Sequence, residues 1–124
     1  MLKAVPSHRV AIVTSCARRL AAARIEASGL MAPDIIVCAD DVSKGKPDPE
    51  PFLTAARLLG VEPQRCLVVE DAPAGITAAR AAGCLVLAVE GTHPAEELHA
   101  DAVVQSLQGV QVVQAQGHLA LKLQ

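Results

Sequence analysis

The chain has 124 residues, a formal net charge of −2 and 52 % apolar content, with Phe52 as its single aromatic residue. That length implies one domain, with a core built from Val, Leu, Ile and Ala. Charges of both signs are scattered along it, which argues against a nucleic-acid partner or a membrane surface.

Residues 10–14 (VAIVT) form a short apolar run after a polar stretch and read as a buried strand. Residues 17–28 are rich in Ala, Arg and Leu and read as a helix that Gly29 stops. Residues 35–38 read as a second strand. Residues 40–48 form a loop containing Gly45 and Pro47, and Asp48 is expected to cap the next helix, with Pro49 in its first turn. Phe52, Leu53, Ala56 and Leu59 mark the buried face of that helix, and Gly60 ends it. Residues 66–69 read as a third strand, Pro73–Ala82 as a third helix closed by Gly83, and Leu85–Val89 as a fourth strand. A helical turn over residues 94–99 leads to the strand Ala102–Val104. Strands alternating with helices in this way predict parallel pairing through right-handed crossovers. In the tail, Val110–Ala115 and His118–Leu123 alternate apolar and polar residues around Gln116 and Gly117, the pattern of a β-hairpin.

The longest apolar runs fall well short of the ~20 residues that a spanning helix needs. The MLKAVPSHR start has no signal-peptide core. Both observations lead to the expectation of a cytoplasmic protein. The cysteines, Cys16, Cys38, Cys66 and Cys84, show no zinc-ligand spacing. They read as reduced, small core residues.

Glu70 and Asp71 end the third strand. Ligands of parallel α/β sheets bind at the carboxyl ends of strands, and two adjacent carboxylates there suit Mg²⁺. The alternative is a helix cap, with Asp71 bonding amides of the following turn. Thr14 and Ser15 end the first strand and start a helix, where a hydroxyl and free amides can grip a phosphate oxygen. They can equally serve as an ordinary N-cap. Lys46 sits in a Gly/Pro-stiffened loop just before a helix and can neutralise a phosphate or a carboxylate. Its alternative is a solvated loop lysine, and Lys44 is the weaker candidate of the two. Asp40 and Asp41 read as loop-structuring or surface residues, and His8, His93, His99 and His118 as surface or turn residues.

Three blocks in this order carry a resemblance: VAIVTS (residues 10–15), GKPDPEPF (45–52) and LVVEDAPAGITAARAAG (67–83). They resemble the second, third and fourth motifs of the haloacid dehalogenase-like (HAD) hydrolases. The subfamily is that of sugar-phosphate phosphatases and β-phosphoglucomutase-like enzymes. The likeness covers about residues 5–105, leaving 106–124 to the hairpin. It implies an α/β fold, a three-layer Rossmann-like core with a parallel sheet. It also implies that Thr14 bonds the transferring phosphoryl group with help from the Ser15 amide. Lys46 would bridge the phosphate and a nucleophilic aspartate, and Asp71 would hold Mg²⁺ with Glu70 in or beside the metal shell.

The family's first motif, Asp-x-Asp-Gly-Thr, is not among these residues, nor is the helical cap that selects substrate. The reading is therefore a single partial core domain over residues 1–124, truncated and lacking the first, central strand of a sheet ordered 5-4-1-2-3. Such a strand, with about five buried aliphatic residues, is worth roughly 8–15 kcal/mol. That equals the whole stability of an ordinary domain, ~5–15 kcal/mol. Three outcomes are expected: the halves pair directly, another chain supplies a strand, or the protein folds poorly. Two functions follow. One is the C-terminal part of a Mg²⁺-dependent phosphatase of small sugar or polyol phosphates, inactive alone for want of the nucleophile. The other is a non-catalytic module that binds a phosphorylated small molecule, or that self-associates or binds a partner chain through open sheet edges. Whether the chain is itself an enzyme stays open at this point.

Overall fold

The computed structural model describes residues 9–29, 33–91, 93–106, 110–115 and 118–123, the last two stretches as backbone. Strands β1 (Ala11–Val13) and β2 (Ile35–Val37) pair in parallel, with helix α1 (Arg18–Ser28) between them in the chain. Strands β3 (Leu67–Glu70), β4 (Leu85–Val89) and β5 (Ala102–Val104) form a second parallel sheet in that order. Helix α2 (Glu50–Leu59) joins the two sheets, and α3 (Pro73–Ala82) crosses from β3 to β4. Strands β6 (Val110–Ala115) and β7 (His118–Leu123) pair antiparallel as the expected hairpin, Ala115 opposite His118. Its turn, at Gln116 and Gly117, lies outside the described residues.

The expected alternation of strand and helix is thus present, and each helix closes on a left-handed glycine: Gly29, Gly60 and Gly83. Two local expectations are corrected. Helix α2 begins at Glu50, with Pro49 in the capping position; the Asp48 carboxylate still takes the Glu50 amide at 2.9 Å. Its buried face is Pro51, Phe52, Ala55 and Ala56, whereas Leu53 is 43 % exposed. Successive residues on a helix are separated by about 100°, so the stripe centred on Phe52 and Ala56 leaves Leu53 on its flank.

The core lies between α2, α3 and the second sheet. Phe52, Val68, Ile76, Val86, Ala88 and Leu98 cluster there with Ala78, Ala79 and Ala82. The small side chains of α3 let it lie close against Val68, Val86 and Ala88. The crossover rule accounts for the layers. The β1-to-β2 step runs across the sheet in the opposite sense to the steps into β3 and β4. Right-handed crossovers therefore put α1 on one face and α2 and α3 together on the other. The other face is unevenly covered: α1 buries only Ala21, Leu87 is buried, and Leu67, Val69 and Leu85 stay exposed.

No ladder joins β1 to β3. The Thr14 amide bonds the Val37 carbonyl, so by strand alternation the polar groups of Ala11 and Val13 face away from β2. Likewise the Leu85 amide bonds Cys66, which turns the backbone groups of Leu67 and Val69 away from β4. Direct closure of the two halves, one of the three expected outcomes, is not seen. Among the described residues the sheet stays in two pieces, with no strand paired to the outward backbone groups of β1 and β3.

All four cysteines are free thiols; Cys38 and Cys84 are buried, and Cys16 and Cys66 half-buried. Burial, reinforced by neighbouring Cys66, pushes the Cys84 thiol up to about 11. Its thiolate fraction at about pH 8 is then near 10⁻³, against roughly a quarter for an ordinary thiol. Iodoacetamide at that pH should modify Cys84 only once denaturant is added, as peptide mass spectrometry will show. Phe52→Ala should cost about 3–5 kcal/mol in urea unfolding. Leu53→Ala, on the exposed flank, should stay within about 0.5 kcal/mol.

Candidate functional site

The carboxyl ends of β1, β3 and β4 converge on an open cavity of about 370 Å³. All five residues singled out from the sequence line it: Thr14, Ser15, Lys46, Glu70 and Asp71, beside Val13, Val69 and Val89. Three separate chain segments are needed to assemble them. The first follows β1, the second is the loop before α2, and the third is the β3–α3 junction.

Lys46 is the most constrained of the five. Its Nζ donates to Glu70 Oε2 at 2.8 Å and to the Val13 carbonyl at 3.3 Å, and it stands 5.1 Å from the centre of the Phe52 ring. The Lys46 and Glu70 side chains are only 12 % and 11 % exposed. The solvated-loop alternative is thereby set aside for Lys46, while Lys44 is exposed. The ammonium bonds an edge carbonyl that has no strand partner among the described residues, so it spans the break between the two sheets.

Thr14 Oγ1 accepts the Cys16 amide at 3.1 Å. The capping position of α1 is Ala17, with no side-chain bond, so neither Thr14 nor Ser15 is an N-cap. Asp71 is exposed, and α3 is preceded by Ala72 without a side-chain cap, so Asp71 does not cap that helix. Among the described residues its carboxylate has no partner. The Asp71 amide donates to Glu70 Oε1 at 3.2 Å. The two neighbouring carboxylates are therefore unlike: Glu70 is tied to Lys46, and Asp71 is free at the cavity wall.

The remaining acidic residues lie outside the cavity lining. Asp41 Oδ2 accepts the Cys38 amide at 2.7 Å and pairs with Arg18. The Cys38 N–H, and then the Arg18 guanidinium, hold the Asp41 carboxyl below the usual range. Asp48 is occupied with the Glu50 amide. Both are thus loop-structuring residues. His93 pairs with Glu97 at 3.2 Å and His99 is exposed. His8 lies outside the described residues, and His118 is described by its backbone alone. Cys16 Sγ accepts from Arg24 at 3.3 Å. The sequence reading missed Gly75, on which the Glu70 side chain rests; a glycine inside a helical pattern was the available signal.

The donor set fits Mg²⁺. That ion takes one or two carboxylates and fills its remaining positions with water and phosphate oxygen. Asp71 offers a free hard oxygen at the cavity wall. Among the described residues, no three His, Cys, Asp or Glu side chains form a ready-made cage. No helix among them is long and apolar enough to cross a membrane.

The haloacid dehalogenase-like hydrolase family model matches residues 1–83. The chain belongs to that family. Hexitol phosphatase A of Escherichia coli is 47 % identical over 103 residues, covering 82 % of this chain and 48 % of that protein. The validoxylamine A 7'-phosphate phosphatase of Streptomyces hygroscopicus is 46 % identical over 98 residues, 77 % of this chain and 46 % of its own length. Among solved structures, CbbY from Rhodobacter sphaeroides in complex with phosphate superposes with a TM-score of 0.72 at 32 % identity, over 79 % of this chain and 46 % of that one. The chain spans about half the length of the curated relatives it matches. The resemblance to the sugar-phosphate phosphatase group is borne out, and so is the partial Rossmann-like core.

Because Lys46 and Glu70 are shielded from water, each leaves the other's charge unpaired when removed. Combining Lys46→Met with Glu70→Gln should reveal a coupling of about 1–3 kcal/mol in urea unfolding, the range for a charge-assisted hydrogen bond. A coupling near zero would show that the pair is solvated.

Proposed function

We propose that this HAD-family chain carries the phosphate-binding and metal-binding part of a Mg²⁺-dependent phosphatase of small sugar or polyol phosphates. One observation carries the reading: Thr14, Ser15, Lys46, Glu70 and Asp71 converge on a single cavity at the carboxyl ends of parallel strands. Thr14 and the Ser15 amide bond the phosphoryl oxygens, and Lys46 neutralises their charge. Asp71 holds Mg²⁺ with Glu70 beside it; the bound ion would draw electron density from the phosphoryl oxygens. The names of the hexitol and validoxylamine phosphate phosphatases support phosphate esters of polyhydroxylated molecules as substrates.

The chain by itself is inactive in this reading. A phosphoaspartyl mechanism needs a carboxylate aimed at phosphorus. The candidates Asp40, Asp41 and Asp48 do not line the cavity. Asp41 and Asp48 are also engaged in holding their own loops. The setting is the cytoplasm, where reduced thiols such as these four persist.

A second reading rests on the open sheet edges. The backbone groups of Ala11 and Val13 turn away from β2 and those of Leu67 and Val69 away from β4, and Leu67 and Val69 are 42 % and 37 % exposed. Unpaired backbone beside apolar surface favours strand addition. Self-association or a partner chain at these edges would make the chain a non-catalytic module that holds a phosphorylated ligand.

Both readings can be tested on the purified chain. With Mg²⁺ and inorganic phosphate at 100 times the dissociation constant, stability should rise by about 2.7 kcal/mol. Asp71→Ala and Lys46→Ala should abolish the gain, and p-nitrophenyl phosphate should not be turned over. Turnover that disappears in Asp71→Ala would overturn inactivity. Absence of any phosphate effect would overturn the phosphate site. A defined oligomer by sedimentation, with phosphate binding but no turnover, would favour the module.

A further inference from the structure

Gly75 is the third residue of α3, and the helix itself does not call for a glycine there. Among the described residues the glycines with positive φ are Gly29, Gly60 and Gly83, and Gly75 is not one of them. Apart from proline, glycine is the poorest residue for a helix interior. The reason lies in a neighbour. A methyl group built on Gly75 would land on Cγ, Cδ and Oε2 of Glu70, closer than any real contact. The Glu70 side chain is folded back over the first turn of α3, in the space that a side chain at position 75 would fill. From there its two oxygens divide their work. Oε2 holds Lys46 Nζ at 2.8 Å, and Oε1 accepts the Asp71 amide at 3.2 Å. The same ammonium reaches the Val13 carbonyl at 3.3 Å.

We propose that Gly75 is a positioning residue. By leaving room for the Glu70 carboxylate over α3, it fixes the Lys46 ammonium at the cavity. This deepens the phosphate-site reading and rests on it. Any side chain at position 75 displaces Glu70 from the turn, and Lys46 loses the partner that aims it.

Lys44 is exposed and two residues away, which makes it an internal reference for the state of Lys46. The unaltered chain, Gly75→Ala, Glu70→Ala and the double variant would each be acetylated with an N-hydroxysuccinimide ester. Mass spectrometry then gives the Lys46-to-Lys44 labelling ratio. Gly75→Ala should raise the ratio about tenfold, the equivalent of losing one charge-assisted hydrogen bond. Glu70→Ala should raise it as far, and the double variant should go no further, because Gly75 acts through Glu70. An unchanged ratio in Gly75→Ala, or additive effects in the double variant, would overturn the proposal. A glycine kept only for the helix predicts a higher melting temperature on alanine substitution with no change in the ratio. Should Gly75→Ala fail to fold, a folded double variant supports the proposal and an unfolded one overturns it. Phosphorus NMR with inorganic phosphate and Mg²⁺ on the same four proteins separates the two readings. A raised ratio without phosphate binding in any of them retains the placement of Lys46 by Gly75 and removes the phosphate site.

Discussion

The ion pair between Lys46 and Glu70 connects what the backbone does not. In an unbroken parallel sheet the ladder itself would tie β1 to β3. Here the ammonium bonds a carbonyl on the edge of β1 and a carboxylate at the end of β3. Both side chains are about nine-tenths covered, so salt screens the pair less than it would a surface pair, and neither partner is readily replaced by water. Helix α2 works from beneath. It packs on β1 and β2 and carries Phe52 into the cluster around Val68 and Ile76. The position of the cavity follows from these two links, since each holds a segment that lines it.

The division of the sheet also explains why the core is lopsided. Apolar burial concentrates where the Ala-rich face of α3 meets β3 and β4, with Ala78, Ala79 and Ala88 fully covered. On the opposite face α1 contributes one buried alanine, and Leu67, Val69 and Leu85 remain open. Parallel sheets are ordinarily covered on both sides. Among the described residues, exposed Leu67 and Val69 and an edge without a strand partner coincide on β3. Apolar surface and free backbone groups therefore lie side by side, the combination from which an added strand gains most.

Much of this was legible in the sequence because the signals are local. Gly29, Gly60 and Gly83 punctuate the helices, and the runs that became β3, β4 and β5 are apolar and short. Thr14, Lys46 and Asp71 could be read as site residues because each stands where a strand ends or a helix is about to begin. The buried face of α2 was only partly legible. Phe52 and Leu53 are adjacent and both apolar, and only the placement of α2 against the sheets decides which one turns inward. The allegiance of Glu70 was not legible. Its partner is 24 residues away, and the contact depends on a side chain that is absent at position 75. Sequence pattern records neighbours on an element, whereas this link runs between elements.

The unlike roles of Glu70 and Asp71 have an electrostatic consequence for the proposed function. Among the described residues Lys46 is the one cation lining the cavity, and its charge is matched by Glu70. Asp71 then leaves the lining with a net charge of one negative unit. A phosphate dianion brought beside it meets repulsion; two unit charges at 4 Å interact by about 4 kcal/mol at an effective dielectric of 20. The Thr14 hydroxyl and the Ser15 amide would offset part of that, but they are dipoles and not charges. A divalent cation on Asp71 reverses the sign of the balance. In the proposed function phosphate and Mg²⁺ would therefore bind cooperatively, each strengthening the other by the same factor, as linkage requires. In that reading the Lys46 charge is shared between Glu70 and the phosphate, so a metal on Asp71 would supply the further positive charge that draws the phosphate in.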